Sequence, residues 1–132
     1  MNLKIAGYVT GCFGKWNIGF APGSRPTDRG FDRFFGPMCQ AKISYFHEVE
    51  QNPYRLDRDP WEVPQDFYLT DAINDFAVQF LEEAVGQEQP FFLYVAHIAP
   101  HWPLHAHQAD IAPYRRQYRE RGWDQWRQRR LQ

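Results

Sequence analysis

An amphipathic stripe followed at once by an unbroken apolar run constrains this chain more than any other feature. Ile73, Phe76, Ala77, Phe80, Leu81 and Ala84 fall at i, i+3, i+4, i+7, i+8 and i+11, the spacing of a single helix face. Thr70 is read as the N-cap, Asp71 and Asp75 suit the positive end of the helix dipole, and Gly86 closes the other end. Pro90 then introduces Phe91-Phe92-Leu93-Tyr94-Val95-Ala96, a run typical of strands buried on both faces of a parallel sheet. Upstream, Tyr8-Val9-Thr10-Gly11-Cys12-Phe13 is β-branched and aromatic and reads as a short strand. Strand, helix and buried strand in that order predict an α/β domain, with 8–13 and 91–96 parallel and helix 70–85 supplying the crossover.

The remaining segments are less regular. Residues 20 to 66 hold most of the Pro and Gly and show little periodicity, so they read as a long excursion with room for one short strand. The stretch from Ala109 to Leu131 predicts two short helices split near Gly122. Met1 to Gly7 reads as the last turn of a helix ending at a glycine cap, and Arg129-Arg130-Leu131-Gln132 stops inside a helical pattern. Both ends predict a domain truncated on either side, and 132 residues fit one domain.

Composition narrows the partners. With 43% hydrophobic and 23% charged residues the chain is globular rather than disordered. A net charge of −1 predicts no strong electrostatic partner overall. Seven arginines between 115 and 130 make one basic end, which reads as a solvated helix face, because no nucleic-acid motif accompanies it. No apolar run approaches the roughly 20 residues a membrane span needs, and no signal peptide opens the chain. Cys12 and Cys39 are too far apart for a CxxC pair; a disulfide and two buried thiols both stay open.

Two clusters carry chemistry, and each follows a predicted strand. In Gly14-Lys15-Trp16-Asn17-Ile18-Gly19, extended backbone puts Lys15 and Asn17 on one face. A cation beside an amide suits a tetrahedral oxyanion, and the glycines permit close backbone approach. The plainer reading is a surface lysine beside a packed tryptophan. The second cluster runs from His97 to His107 and holds His97, His101, His105 and His107, four of the five histidines. Pro100 and Pro103 restrict the backbone around His101 and Trp102, which favours a fixed imidazole able to bond an anion or protonate a leaving oxygen. A zinc site is the rival, although the prolines argue against the helix that would pair histidines at i, i+4. Loop decoration remains open for His105 and His107. In open α/β sheets ligands bind beyond the carboxyl ends of the strands, where both clusters fall if the two strands are parallel.

At this point the sequence resembles the sulfatase family, which has the alkaline-phosphatase-like α/β fold. Ala6-Gly7-Tyr8-Val9-Thr10 with Phe13-Gly14-Lys15-Trp16 resembles the family's AGYxTxxxGKWHLG segment, and Arg29 to Gly36 its RGFDxFFG. Tyr68-Leu69-Thr70-Asp71, Pro90 to Tyr94 and Ala99-Pro100-His101-Trp102-Pro103-Leu104 resemble its YxTD, PFFLY and APHWP segments, and Tyr114-Arg115 and Gly122-Trp123-Asp124 follow in register. The resemblance implies a partial sulfatase catalytic domain over 1–132, with a mostly parallel sheet flanked by helices. It implies a sulfuric ester hydrolase acting on a small-molecule or glycan sulfate ester.

Residue by residue, Lys15 matches the lysine that contacts the sulfate group and His101 the histidine near the ester oxygen, so these two are the expected catalytic residues. His97 is added as a substrate-binding candidate. Asn17 stands where the family has histidine; it can donate a hydrogen bond but not shuttle a proton, so it is assigned to binding alone. The resemblance also implies a formylglycine nucleophile from a C-x-P-x-R or S-x-P-x-R motif, which neither Cys12 nor Cys39 fits. It implies calcium in the complete enzyme, with ligands from segments outside these 132 residues; no metal ligand is assigned here. The fragment alone is expected to be inactive. Two other readings stay open: a phosphonate or phosphodiester hydrolase of the same fold, and a non-catalytic anion-binding or degenerate sulfatase-like protein. The parent's export and its oligomeric state stay open as well.

Overall fold

The computed structural model describes residues 3–38, 44–47 and 52–132. Five strands and two α-helices follow in the order β1 (Val9–Gly14), β2 (Arg33–Pro37), β3 (Tyr54–Leu56), β4 (Asp59–Pro60), α1 (Leu69–Val85), β5 (Phe91–Ala96) and α2 (Gln108–Arg130), with a 3-10 turn at Pro26–Arg29 before β2. The sheet order is β4-β3-β2-β1-β5. β1 lies parallel to β2 and to β5, while β3 and β4 add an antiparallel hairpin to the far side. The sheet is therefore mixed, with its parallel part where the two predicted strands meet.

β1 has parallel neighbours on both sides and is buried from Thr10 to Gly14. Its alternation divides the core. Phe13 faces α1 with Phe35, Leu69, Ile73, Ala77, Phe80 and Ala84, whereas Cys12 packs with Phe34 and Met38 on the opposite face. The helix stripe accounts for this: Ile73, Ala77, Phe80 and Ala84 are all buried, and burying one such large side chain contributes about 1.5–3 kcal/mol.

Four expectations need correction. The N-cap of α1 is Tyr68, in extended conformation and without a side-chain cap bond, and Thr70 lies inside the helix. The Leu69 amide is instead bonded by the Tyr45 carbonyl at 2.7 Å, so a tertiary contact satisfies a donor that a local side chain usually takes. Second, the described part of residues 20 to 66 holds three strands rather than one, because β2 to β4 arise from long-range pairing and not from local periodicity. Third, β5 is an edge strand, and it is not buried on both faces: Phe91, Phe92, Tyr94 and Val95 are all exposed. Apolarity alone cannot distinguish an edge strand from a central one. Fourth, β1 ends at Gly14, so Lys15 and Asn17 do not share an extended strand, and Asn17 has a φ of 55°.

α2 breaks at Gly122 (φ 65°, ψ 173°), as the split near that residue predicts. Among the described residues no helix is long and apolar enough to cross a membrane. Cys12 is a buried free thiol, and Cys39 lies outside the described residues.

Candidate functional site

The two predicted clusters leave the same edge of the sheet side by side. β1 and β5 run parallel with Gly14 opposite Ala96, and the Lys15 amide donates to the Ala96 carbonyl at 2.8 Å. Gly14 makes this junction possible. Its φ of 107° lies where glycine is favoured, and a Cβ there would fall onto the Ala96 carbonyl oxygen. Trp16 then anchors the turn: its indole N–H donates to the Ser24 carbonyl at 2.8 Å, and its ring meets Phe31 edge-on at 5.8 Å. Lys15 is half-buried and, among the described residues, has no carboxylate partner. Asn17 is exposed in a left-handed conformation, which asparagine tolerates better than most residues.

After β5, His97 is exposed while Ile98 is buried and roots the loop in the core. Both X-Pro bonds of the loop, Ala99-Pro100 and Trp102-Pro103, are cis. The His101 amide donates to the Ile98 carbonyl at 2.9 Å, and His101 Nδ1 lies 2.6 Å from the Trp102 carbonyl oxygen. A carbonyl only accepts, so Nδ1 carries the proton in this bond. The neutral ring then keeps its lone pair on Nε2, on an exposed side chain. This tautomer can accept a proton at Nε2, or donate from it once protonated.

His105 and His107 are not loop decoration. His107 packs on Tyr68 at 4.2 Å and on Phe46 at 5.3 Å, with Nε2 3.6 Å from the Asp71 carboxylate. His105 meets the Tyr45 and Phe46 rings at 5.8 and 5.9 Å. These contacts fasten the end of the loop to the start of α1. Residues 97–107 form no helix, and among the described residues no three His, Cys, Asp or Glu side chains lie close enough to hold a metal. The zinc reading therefore has no support.

Cys12 is no candidate nucleophile. It is fully buried, and burial pushes its thiol up to about 12, so the reactive thiolate is scarce near neutral pH. The Arg29 to Gly36 motif is structural in this fold. Thr10 donates its amide to the Asp32 carboxylate at 2.9 Å, Lys4 pairs with the same carboxylate at 2.6 Å, and Phe34 and Phe35 are core residues. Tyr45 and Tyr68 border the histidine loop although the sequence reading did not select them as site residues. The one local signal is an aromatic pair, Tyr45-Phe46, within a stretch of weak periodicity.

The Sulfatase family model matches residues 2–131. The chain is 35% identical to an arylsulfatase of Klebsiella aerogenes over 96% of its own length and 29% of that protein. It is 34% identical to an N-acetylgalactosamine-6-sulfatase of Mus musculus over 79% of its length and 22% of that protein. Among solved structures, Ps i-CgsB in complex with k-i-k-neocarrahexaose superposes with a TM-score of 0.75 at 31% identity, covering 85% of this chain and 28% of that one. The chain thus spans under a third of the length of each of these relatives.

Proposed function

The chain belongs to the sulfatase family, and from that premise we propose that it forms one wall of the sulfate-ester pocket of a longer sulfuric ester hydrolase, as a partial catalytic domain over residues 1–132. The observation that carries this reading is the junction of β1 and β5, where Lys15 and the His97–His101 loop leave adjacent parallel strands at one sheet edge. A half-buried lysine without a carboxylate partner among the described residues attracts an anion, and the strand that pairs with its own leads into the loop of His101, whose uncommitted ring nitrogen is Nε2.

In this reading Lys15 binds the sulfate oxygens, and Asn17 and His97 add hydrogen bonds to the substrate. Imidazolium Nε2–H of His101 gives its proton to the ester oxygen as the S–O bond breaks, so the alcohol leaves neutral and the ring returns to its Nδ1–H form. Asn17 has no titratable proton and takes no part in that transfer. Formylglycine, where the family has it, supplies the attacking oxygen as an aldehyde hydrate. Calcium, where bound, neutralises sulfate charge. The described residues fit neither group: Cys12 is buried and lacks the C-x-P-x-R context, and no metal cluster exists among them. Both belong to the longer protein in this proposal. The substrate class is a small-molecule or glycan sulfate ester; the complex of Ps i-CgsB with neocarrahexaose supports the glycan member.

Two experiments test the reading. In the longer enzyme carrying these residues, Lys15→Ala and His101→Ala are each expected to lower turnover of an aryl sulfate by about 100-fold or more, with phosphate monoesters and diesters as the competing panel. Near-normal turnover in both variants overturns the site assignment. The 132-residue chain alone is expected to bind inorganic sulfate at Lys15 and His101 without turning over any ester.

A further inference from the structure

Tyr45 is 1% exposed, yet its hydroxyl donates to the His101 carbonyl at 3.1 Å, across a separation of 56 residues. Its own carbonyl accepts the Leu69 amide at the start of α1, so one residue ties the histidine loop to the helix. We propose that Tyr45 is a positioning residue for His101, holding the loop so that the imidazole keeps its Nδ1–H tautomer and presents Nε2 to the substrate. This rests on the assignment of His101 to the pocket.

The geometry closes around His101 on three sides. Its amide is bonded to Ile98, its carbonyl to Tyr45 and its ring Nδ1 to the Trp102 carbonyl. Among the described residues, Nε2 is the one polar atom of His101 left uncommitted. The Tyr45 bond fixes the plane of the 101–102 peptide from outside the loop, and the next carbonyl along is the acceptor of Nδ1. Releasing that plane lets the Trp102 carbonyl turn away and frees the ring to exchange tautomers. Burial, with Tyr68 beside it, raises the Tyr45 phenol above its ordinary value, so the donor keeps its proton throughout the working pH range of a histidine.

Tyr45→Phe removes the hydroxyl and leaves the ring packing in place. Tyr54→Phe is the control, because Tyr54 is also buried and bonded through its hydroxyl, but to the Ser44 carbonyl. The readout on the 132-residue chain is the nitrogen NMR signature of the neutral His101 ring, together with a titration by inorganic sulfate. Wild type and Tyr54→Phe are expected to show the Nδ1–H tautomer. Tyr45→Phe is expected to show a mixture and to bind sulfate about fivefold more weakly, the loss typical of one hydrogen bond. A Tyr45→Phe ring and sulfate affinity indistinguishable from Tyr54→Phe overturn the proposal. A tautomer change with no sulfate binding in wild type supports the positioning role and overturns the pocket reading instead.

Discussion

Replacing Gly14 by alanine strikes the junction between the two strands that carry the site. An L-residue at φ 107° pays a conformational cost of about 1–2 kcal/mol. The added Cβ would also fall onto the Ala96 carbonyl oxygen, with the carbonyl carbon at 2.8 Å. Both are backbone atoms of the paired strand, so relief requires moving β5, and overpacking of that kind costs about 1–3 kcal/mol. The total is about 2–5 kcal/mol. Two other glycines separate the contributions: Gly7 (φ 81°) and Gly23 (φ 85°) have nothing within 4 Å of an added Cβ, so their alanine variants bear only the conformational part. At about 2.1 cal/mol/K per residue, a chain of 132 residues has an unfolding entropy of about 0.28 kcal/mol/K. Gly14→Ala is then expected to lower Tm by about 7–18 °C, against about 4–7 °C for Gly7→Ala or Gly23→Ala. Thermal melts followed by circular dichroism at micromolar concentration measure this. A Gly14→Ala melt no lower than that of Gly23→Ala would refute the clash, and with it the close apposition of Lys15 and Ala96.

Further outcomes follow from other contacts. Partial burial, the largest influence on Asp32, raises its carboxyl, but Lys4 and Thr10 together outweigh it and hold the group below its ordinary value. A depressed carboxyl stabilises the fold above an unfolded value near about 3.9, and that contribution is lost as pH falls through the folded value. The urea midpoint of wild type should therefore drop in that acid window, and less so in Asp32→Asn; parallel acid losses in both would reject the linkage. Cys12 should react with a thiol reagent only as fast as the chain unfolds, since it is inaccessible and burial pushes its thiol up to about 12; rapid labelling of the folded chain would contradict its burial. The exposed apolar side chains of β5, Phe91, Phe92, Tyr94 and Val95, on a sheet edge unpaired among the described residues, should drive self-association. Sedimentation is expected to show oligomers that diminish in Tyr94→Lys, and a monomeric wild type at tens of micromolar would argue against this.

What was legible from the sequence was whatever depends on neighbours a few residues apart. The helical stripe from Ile73 to Ala84, the apolar run of β5 and the break at Gly122 are local patterns, and each appears where the sequence reading puts it. The motifs around Lys15 and His101 were legible for the same reason, as contiguous residues of a known family. Tertiary structure alone decided the rest. The strands β2 to β4 pair across tens of residues, with Phe34 and Phe35 entering the core from a stretch without periodicity. The start of α1 is satisfied by the Tyr45 carbonyl rather than by Thr70. β5 is as apolar as a central strand yet stands at the sheet edge, because strand order is set by which edges pair and side-chain hydropathy records only the faces. The hydrogen bond from Tyr45 to His101 is the extreme case: a buried hydroxyl and a loop carbonyl 56 residues apart meet only once the sheet and helix have placed them.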